Sequence, residues 1–389
     1  MNISSRRKFL SLTSRTALAG TVFGAMPRFG RSEAAPAAGA AADYAALFNG
    51  RDLTGWVPVN VAPNTFTVRE EMIVTTGVPT GIMRTDRHYE NFDLELEWRH
   101  TVSRGNAGLF IYSEPITAPG VPFSKSIEVQ ILDGDSPEGV ATGHGDIFSI
   151  HGARMTPDRP HPRGWERCLP IERRARPYGE WNHYRVESRD GRLTLAVNGK
   201  VVSGASGCRP RRGYICLESE GSECHFRNLR IRELPSSNPP PDEVASLAVG
   251  FKSLYSGLDL DGWQAGPDHG AHWLAQDWIL ACEGQGPDVL DTTSTWGDAD
   301  FIVDWRIQGG GSAGLLPRGS RSHEIRLEAT SNRWVRTRLE LRGDRVTVAH
   351  AGETPATREL PGIPPTGPLG LRHHGRSIQF ANLFVRPVV

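Results

Sequence analysis

The ten residues LFNGRDLTGW at 47–56 return as LYSGLDLDGW at 254–263, and each copy opens a segment that closes on a similar pattern. Other paired motifs follow in the same order: NFDLELEWR from Asn91 with DFIVDWR from Asp300, NAGLFI from Asn106 with SAGLLP from Ser312, and IEVQILD from Ile127 with HEIRLEA from His323. This repeat is far longer than the roughly 20–50 residues of a solenoid unit. The sequence therefore predicts a duplicated domain with two separate cores.

The two copies differ most in one connection. The first copy makes a long excursion between Glu128 and Trp181, whereas the second passes almost directly from Glu324 to Trp334. Long ordered loops in compact domains are usually functional. We therefore expect the chemistry to lie in the first copy.

The composition limits the class of partner. The chain has 389 residues, with 44 basic and 44 acidic side chains. The chain therefore has no excess of basic residues that would indicate binding to nucleic acid. Its length allows two to three domains. Beyond the N-terminal segment, no stretch approaches the ~18 consecutive apolar residues of a membrane helix, so we expect no membrane span in the mature chain.

The N-terminus resembles a twin-arginine export signal. Arg6 and Arg7 precede a weakly apolar stretch at 16–26 and a small-residue site near Ala34. We expect residues 1–42 to lie outside the fold and the mature chain to be periplasmic or extracellular. The twin-arginine translocase would then be its export partner.

An exported chain with five cysteines permits a disulfide. We favour Cys168 with Cys208, because both flank loop-like segments rich in Pro and Arg. Cys216 lies within an apolar run and is expected to be a small buried side chain. Cys224 and Cys282 stay unassigned.

Alternation of period two dominates the chain. In FDLELEW at 92–98 the apolar residues occupy every second position, which is typical of a half-buried strand. Two hairpins are predicted in HYRVESRDGRLTLAVNGKVV, with turns at the Asp190-Gly191 and Asn198-Gly199 dipeptides. Helical periodicity is not convincing in either copy. We therefore predict an all-β fold of two β-sandwiches at 43–234 and 251–389, joined by a proline-rich linker at 235–250.

Six motifs of the first copy, taken in register, resemble the 3-keto-disaccharide hydrolase domain family. They are LFNGRDLTGW, FDLELEWR, NAGLF, IEVQILD, the EWNHYRVESRDGRLTLAVNGKVV hairpin and YICLESEGSECHFRNLRIREL. The second copy retains only the framework strands and resembles a degenerate copy. The resemblance implies two concanavalin-like jelly rolls in tandem, the first with a concave face that binds sugar. It also implies action on glycosides that are already oxidised to a ketone at C3.

Glu128 is the first candidate for catalysis. In IEVQIL the alternation sends Glu128 and Gln130 to one face of the strand and the apolar residues to the other. Glu128 is suited to act as an acid, a base or a metal ligand, and Gln130 to bind a sugar hydroxyl. A solvated strand glutamate is the open alternative. The second copy keeps Glu324 but places Arg326 where the first has Gln130.

The excursion concentrates imidazole and carboxylate groups in a loop rich in glycine. His144, Asp146 and His151 could bind a divalent metal together with Glu128, or a neutral histidine could serve as a general base. The spacing matches no fixed metal motif, so a loop braced by hydrogen bonds is an equal alternative. No nucleotide cofactor is expected.

A second carboxylate candidate lies near the end of the first copy. In CLESEG, Glu220 shares a strand side with Glu218 and Cys216, and we expect Glu220 to be catalytic or to cap a turn.

Three further residues are candidates for substrate binding. Asn106 and Arg84 resemble family positions on the sugar-binding face and offer hydrogen-bond donors. Trp165, inside the excursion, is suited to stack on a sugar ring or to anchor the loop.

These residues predict an exported glycoside-cleaving enzyme. A ketone at C3 acidifies the C2 hydrogen, so His144 or His151 could remove it, with Glu128 and a metal at the enolate oxygen and Glu220 as the acid. Ordinary hydrolysis by Glu128 and Glu220 is the competing mechanism. The alternative function is a non-catalytic glycan-binding tandem module. We expect the second copy to be non-catalytic, serving as binding or structural support.

Overall fold

The computed structural model describes residues 43–136, 144–264, 272–286 and 288–388. The predicted export signal at 1–42 and residues 137–143 of the excursion lie outside the described residues. In the described ranges, regular structure consists of β-strands and short 3-10 turns at Pro241–Glu243, Pro317–Gly319 and Arg321–His323. No helix within those ranges has the length and apolar character needed to cross a membrane.

The first sandwich is formed by residues 45–233. Its strands are β1 (Ala45–Ala46), β2 (Trp56–Val59), β3 (Phe66–Arg69), β4 (Met72–Thr75), β5 (Gly81–Thr85), β6 (Phe92–His100), β7 (Asn106–Ser113), β8 (Ser126–Leu132), β9 (Ile147–Ile150), β10 (Arg154–Pro157), β11 (Arg167–Cys168), β12 (Asn182–Arg189), β13 (Arg192–Val197), β14 (Lys200–Arg209), β15 (Tyr214–Ser219) and β16 (Cys224–Glu233). Its back sheet has the order β10-β14-β13-β12-β6-β16-β4-β3, with β1 on β16. Its front sheet has the order β11-β9-β8-β7-β15-β5-β2.

The second sandwich is formed by residues 252–387. Its strands are β17 (Lys252–Ser253), β18 (Trp263–Gln264), β19 (Trp273–Gln276), β20 (Ile279–Cys282), β21 (Val289–Thr292), β22 (Ala299–Ile307), β23 (Gly311–Leu316), β24 (Ile325–Ala329), β25 (Val335–Arg342), β26 (Arg345–His350), β27 (Ala356–Glu359), β28 (Gly370–His373) and β29 (Ile378–Pro387). Its back sheet runs β19-β20-β29-β22-β25-β26-β27, with β17 on β29. Its front sheet runs β18-β21-β28-β23-β24.

The two sandwiches share one topology. The path β3-β4-β16-β6-β12-β13-β14 in the first back sheet corresponds, strand by strand, to β19-β20-β29-β22-β25-β26-β27 in the second. The front sheets correspond in the same way, from β2-β5-β15-β7-β8 to β18-β21-β28-β23-β24. Strands β9, β10 and β11 come from the excursion and have no counterpart in the described part of the second sandwich. The prediction of an all-β fold with two sandwiches in tandem is confirmed.

The local sequence explains the strands and their turns. Along Phe92–His100, buried side chains fill the core face at every second position. The hairpin β12–β13 turns at Asp190 and Gly191, whose φ angles are 49° and 77°, and β13–β14 turns at Asn198 and Gly199, at 47° and 87°. Two-residue hairpin turns of type I′ need positive φ at both positions, and Asn, Asp and Gly tolerate it best. The dipeptides therefore fix the strand register, as the sequence predicted.

The two sandwiches pack front to back. Phe110 and Cys216 project from the front sheet of the first sandwich, and Ile302 and Phe384 project from the back sheet of the second. All four are at most 1% exposed and belong to one apolar cluster. Full burial of a Phe or Ile side chain contributes about 1.5–3 kcal/mol. Removing the second sandwich would expose this cluster, so a domain deletion would test folding as well as chemistry.

A buried ion pair fixes the junction between the sandwiches. The Asp304 carboxylate accepts hydrogen bonds from Arg336 Nε and Nη2 at 2.7 and 2.8 Å, from Asn382 Nδ2 at 2.6 Å and from the Gly120 amide at 2.8 Å. Arg336 Nη2 also donates to the Thr117 carbonyl at 2.9 Å. A buried carboxylate is stable only when it is paired and hydrogen-bonded in this way. The connection between β7 and β8 is therefore attached to the second sandwich.

Asp304→Ala leaves the Arg336 guanidinium buried without its partner. We expect the free energy of unfolding to fall by about 3 kcal/mol. Urea denaturation of the whole protein measures this loss. Asp344→Ala, an exposed position in the same sandwich, is the control and should change stability by no more than about 0.5 kcal/mol. Equal losses in the two variants would contradict the role of the Asp304 network.

The predicted Cys168–Cys208 disulfide is wrong in this structure. All five cysteines are free and buried. The Sγ atom of Cys168 lies 3.5 Å from the backbone nitrogen of Gly204, which donates to it. Cys208 lies four residues after Gly204 on β14, so the Cα atoms of Gly204 and Cys208 are about 13 Å apart. A disulfide requires the Cα atoms of its two cysteines to lie within about 7 Å of each other.

Candidate functional site

Strand pairing in the front sheet of the first sandwich aligns the polar residues of three strands. Phe110 on β7 pairs with Glu128 on β8, and Gly108 pairs with Gln130. On the other side of β7, Cys216 of β15 pairs with Phe110, which places Glu218 beside Gly108. These side chains therefore project from one face of the sheet. It is the face that the second sandwich partly covers.

Two carboxylates meet above Gly108. A Cβ atom at this position would lie 2.6 Å from Oε2 of Glu218 and 3.0 Å from Oε1 of Glu128. The two oxygens therefore lie within about 5.6 Å of each other, a separation comparable with that of paired catalytic carboxyl groups. Any side chain at Gly108 would occupy the space between them. Because residue 108 is a glycine, this space stays free of side-chain atoms and both carboxyl groups face it.

An amide chain extends the carboxylate pair toward the end of β7. Gln130 Nε2 donates to Asn106 Oδ1 at 2.7 Å and lies 3.2 Å from the Ala107 carbonyl. Asn106 Nδ2 in turn donates to Glu220 Oε2. Four predicted site residues, Glu128, Gln130, Asn106 and Glu220, thus come together on one face. Their convergence follows from strand alternation and register.

A buried ion pair lies on the other side of Glu128. Arg167 Nε is 3.3 Å from Asp146 Oδ2, and the Arg167 guanidinium lies 3.7 Å from the centroid of the Phe148 ring. The pairing of Glu128 with Phe148 brings this pair next to the carboxylate cluster. Asp146, a predicted metal ligand, is therefore engaged with a cationic side chain.

The pKa values of the three glutamates are raised together. Burial raises the pKa of Glu128 to about 8, and the charge of Glu220 adds to the shift. Burial raises the pKa of Glu218 well above its usual range, with further contributions from Glu128 and Glu220. Burial also raises the pKa of Glu220; its hydrogen bond from Asn106 opposes this shift, and the charge of Asp277 adds to it. Near neutral pH the cluster retains protons and is able both to donate and to accept one.

Glu218 carries the most unusual oxygen of the cluster. Its side chain is 1% exposed, and Oε2 has no hydrogen-bond partner among the described residues. A buried polar atom without a partner costs about 1–3 kcal/mol, so each one needs a physical explanation. The atom is the same one that faces the space above Gly108.

Of the four predicted metal ligands, Glu128 and Asp146 are neighbours, but His144 is engaged elsewhere. His144 Nε2 lies 3.0 Å from the Ser136 carbonyl and 2.9 Å from Arg173 Nη2. A guanidinium at that distance opposes a metal cation, as Arg167 does at Asp146. Within the described ranges, no three His, Cys, Asp or Glu side chains gather as a metal site. The residues proposed as ligands therefore do not fit a divalent cation.

His151 contacts residues other than those of the carboxylate cluster. It occupies the turn after β9 with a φ of 51°, and its ring stacks on Phe123 at 6.3 Å. It lines a cleft of about 470 Å³ between the sandwiches, together with Lys125, Arg338 and His350. None of the contacts described for His151 involves Glu128, so we do not assign it as the base.

Arg84 and Trp165 are both engaged within the first sandwich. The Arg84 guanidinium lies over the Tyr214 ring at 4.3 Å and donates from Nε to the Pro115 carbonyl at 3.1 Å. Trp165 is exposed and stacks on His161 with ring centroids 4.4 Å apart. Arg84 therefore braces the β7–β8 connection, and Trp165 is paired with another ring of the excursion.

The second sandwich neutralises the equivalent of this cluster. Gly314 pairs with Arg372 and Arg326, where Gly108 neighbours Glu218 and Gln130. Glu324, the counterpart of Glu128, accepts from Arg372 Nη1 at 2.9 Å and from His374 Nε2 at 2.6 Å. The first sandwich thus has three neighbouring carboxylates, Glu128, Glu218 and Glu220. The second has one carboxylate in the corresponding place, Glu324, and it is paired with cations.

Residues 43–232 match the sequence profile of a family described as the 3-keto-alpha-glucoside-1,2-lyase-like domain. These residues belong to that family. The range contains every carboxylate of the cluster and the first sandwich up to Arg232. The resemblance inferred from the motifs is therefore confirmed for the first sandwich, which we call the lyase-like domain.

Solved structures with similar folds cover about half of the chain. A protein of Parabacteroides distasonis described as a candidate glycosyl hydrolase has 22% identity over 49% of this chain and 94% of its own, with a TM-score of 0.38. The carbohydrate-binding module CBM66 of Bacillus subtilis has 14% identity over 48% and 99%, with a TM-score of 0.34. A β-glucanase of Bacillus licheniformis has 12% identity over 51% and 100%, with a TM-score of 0.33. These similarities carry no functional conclusion for this chain. A comparison with curated protein sequences finds no match.

The site residues predicted from the sequence did not include Glu218, Gly108 or Arg167 of the lyase-like domain. The alternation in CLESEG placed Glu218 on the side of Glu220, and this signal was sufficient to include it. Gly108 becomes informative only when the strands on both sides of it are known. Arg167 lies on a two-residue strand at the sheet edge, which has no sequence periodicity.

Glu128→Gln should stabilise the lyase-like domain at alkaline pH. The unfolded Glu128 titrates near ~4.3, whereas its folded pKa is about 8. Between these values the folded state binds a proton that the unfolded state has lost, so stability falls as the pH rises through this window. We expect the variant to exceed the wild type by about 2–4 kcal/mol at pH 8 and to match it near pH 5.

Urea denaturation at several pH values measures this difference. Glu324→Gln is the matched control, because it removes a carboxylate that is paired with cations and should lower stability. A Glu128→Gln protein that is less stable than the wild type at pH 8 would exclude a desolvated Glu128.

Proposed function

We propose that the lyase-like domain cleaves glycosides whose glycosyl unit carries a ketone at C3, by elimination followed by addition of water. The main support is the pair of buried carboxyl groups above Gly108, whose pKa values are raised while they face one small volume. Such a pair supplies a base and an acid to adjacent atoms of one substrate. The family description of residues 43–232 supports the same class of reaction.

The proposed elimination needs one proton removed and one delivered. The C3 ketone acidifies the hydrogen on C2, and ionised Glu128 accepts that proton as the C2–H electrons form an enolate. The enolate then restores the C3 carbonyl, forms a C1–C2 double bond and expels the oxygen on C1. Protonated Glu218 donates its proton to the departing oxygen. A base with a pKa near 8 is well matched to this task.

Addition of water reverses the two proton transfers. Glu218, now ionised, accepts a proton from the water that attacks C1, and Glu128 returns its proton to C2. Both carboxyl groups regain their starting states, and a free 3-keto sugar is released. The amide groups of Asn106 and Gln130 are next to the carboxylates and are suited to donate to the ketone oxygen or to ring hydroxyls. Glu220 orients Asn106 through their hydrogen bond.

This assignment replaces the roles first expected for the histidines and for a metal. His144 is engaged with Ser136 and Arg173, and the expected ligands do not fit a cation. No step of the proposed mechanism requires a metal. The alternative, a module that binds glycans without chemistry, is not favoured, because binding does not require three carboxyl groups held against their desolvation cost.

The first experiment incubates the protein with 3-keto-trehalose, 3-keto-sucrose and the unoxidised parent disaccharides, with and without a chelator. We expect 3-keto-glucose to be released from the keto substrates alone, with or without chelator. A substrate that carries deuterium at C2 should be cleaved more slowly, because elimination breaks the bond between C2 and that hydrogen. An unchanged rate with this substrate would favour ordinary hydrolysis. Loss of release in the chelator would contradict the metal-free mechanism.

Substitutions distinguish the two proposed catalytic carboxyl groups from Glu324, the counterpart of Glu128 in the second sandwich. Glu128→Gln and Glu218→Gln should each lower kcat at least about a hundredfold, since each removes a proton acceptor or donor from the reaction. Glu324→Gln in the second sandwich should leave kcat unchanged. An unchanged kcat in Glu128→Gln would exclude both the elimination and the two-carboxylate hydrolysis.

We also propose that the chain is exported by the twin-arginine route and acts in the periplasm or outside the cell. Arg6 and Arg7 support this proposal. Replacing both with lysine should retain the protein in the cytoplasmic fraction, as followed by fractionation and immunoblotting. Unchanged export of that variant would contradict the route.

A further inference from the structure

The second sandwich supplies residues near the carboxylate cluster as well as structural support. We propose that Trp278 and Trp334 form an aromatic wall over the cluster that binds a pyranose ring of the substrate. This inference rests on the proposed function and adds the surface that holds the substrate. It assigns a direct binding role to a domain whose own carboxylate cluster is neutralised.

One end of the wall is fixed beside Glu220. The Asp277 carboxylate accepts hydrogen bonds from the Thr80 amide and the Thr80 hydroxyl, both at 2.7 Å. Thr80 precedes Gly81, which pairs with Ser219 immediately before Glu220. The charge of Asp277 contributes to the raised pKa of Glu220, which shows that the two carboxylates are close. Trp278 follows Asp277 directly, so this anchor attaches the backbone of Trp278 next to the strand that precedes Glu220.

The other end is fixed by the connection between β7 and β8. A Cβ atom at Gly120 would lie 2.1 Å from Cγ of Trp334, so only glycine allows this close approach. Phe123 of the same connection packs edge to face on Phe110 at 5.7 Å, and Phe110 pairs with Glu128. Trp334 is therefore held on the Glu128 side of the cluster.

The two tryptophans meet between these anchors. Their ring centroids are 6.0 Å apart, and both side chains are half-buried. The guanidinium of Arg306 lies 4.6 Å from the Trp334 ring, and Arg306 Nε donates to Gln379 Oε1 at 2.6 Å. These contacts orient Trp334 from the second sandwich. The Trp278 end of the pair is thus attached through Asp277 to Thr80 of the first sandwich, and the Trp334 end lies against Gly120 of the β7–β8 connection.

The chemistry of the wall suits an uncharged sugar ring. Indole rings provide large, rigid apolar surfaces, and ligand sites combine such surfaces with a few precisely placed polar groups. The carboxyl and amide groups of the first sandwich supply the polar set. The tryptophans supply the apolar surface for the C–H face of a pyranose. Trp165, selected from the sequence for this role, is instead paired with His161.

The duplicated fold provides a matched control. Trp181 precedes β12 as Trp334 precedes β25, and it contacts Arg99 at 4.7 Å where Trp334 contacts Arg306. Arg227 also contacts Trp181, at 3.9 Å. Trp181 lies on the back sheet of the first sandwich, away from the carboxylates. Equivalent substitutions at the two positions therefore remove similar side chains from different surroundings.

The test uses the whole protein and the variants Trp278→Ala, Trp334→Ala, Trp334→Phe and Trp181→Ala. With 3-keto-trehalose we expect KM to rise about tenfold or more in the two wall variants with alanine, while kcat changes far less, because the lost contacts hold ground state and transition state alike. Trp334→Phe should recover most of the affinity, and Trp181→Ala should leave KM unchanged. Melting temperatures monitor folding, and Trp334→Phe keeps an aromatic ring against Gly120 if the alanine variant unfolds.

Calorimetric titration with trehalose, which lacks the ketone, separates this inference from the proposed function. No turnover of any keto substrate by the wild type would refute the proposed function. Trehalose binding that is weakened in Trp334→Ala and Trp278→Ala, but not in Trp181→Ala, would still support the wall. A KM and a trehalose affinity that are unaltered in both folded wall variants would overturn it, as would the absence of both turnover and binding in the wild type.

Discussion

Packing of the second sandwich against the front sheet of the first is the constraint on which the site depends. Ile82, the cross-strand neighbour of Glu218, belongs to the interface cluster together with Phe110 and Ile302. The apolar contact excludes water from one side of the carboxylates. Desolvation is the largest cause of the raised pKa values of Glu128 and Glu218. Burial on this partly covered face therefore raises the pKa values of the groups that we propose for catalysis.

The site and the interface have opposite effects on stability. Two or three glutamates without full solvation lower the stability of the folded state at neutral pH, as linkage requires. The interface offsets this cost through its apolar cluster and through the Asp304–Arg336 pair, in which each charge is hydrogen-bonded. In the second sandwich Glu324 is paired with Arg372 and His374, so the counterpart of Glu128 is a carboxylate compensated by cations. The two sandwiches thus differ in that one holds buried carboxyl groups with raised pKa values and the other pairs its carboxylate with cations.

The sequence predicted the site residues that lie on strands, but it did not predict the positions of those on loops. Glu128, Gln130, Asn106 and Glu220 were predicted together because strand alternation fixes which side chains share a face. The convergence of the histidines was not predictable, because their positions depend on loop paths that have no period. The Cys168–Cys208 disulfide failed for the same reason, since chain separation and loop composition do not determine Cα distances.

The sequence by itself determined the all-β fold, the duplication, the hairpin turns and the lyase-like family of the first sandwich. Each of these follows from local rules of alternation and turn chemistry, or from motifs that keep their order along the chain. Only the tertiary structure decided that the second sandwich covers the first, that Glu218 joins Glu128 above Gly108, and that Trp278 and Trp334 lie on the covered side. These features arise from contacts between residues far apart in sequence, whose distances are set by the packing of sheets and not by any local pattern.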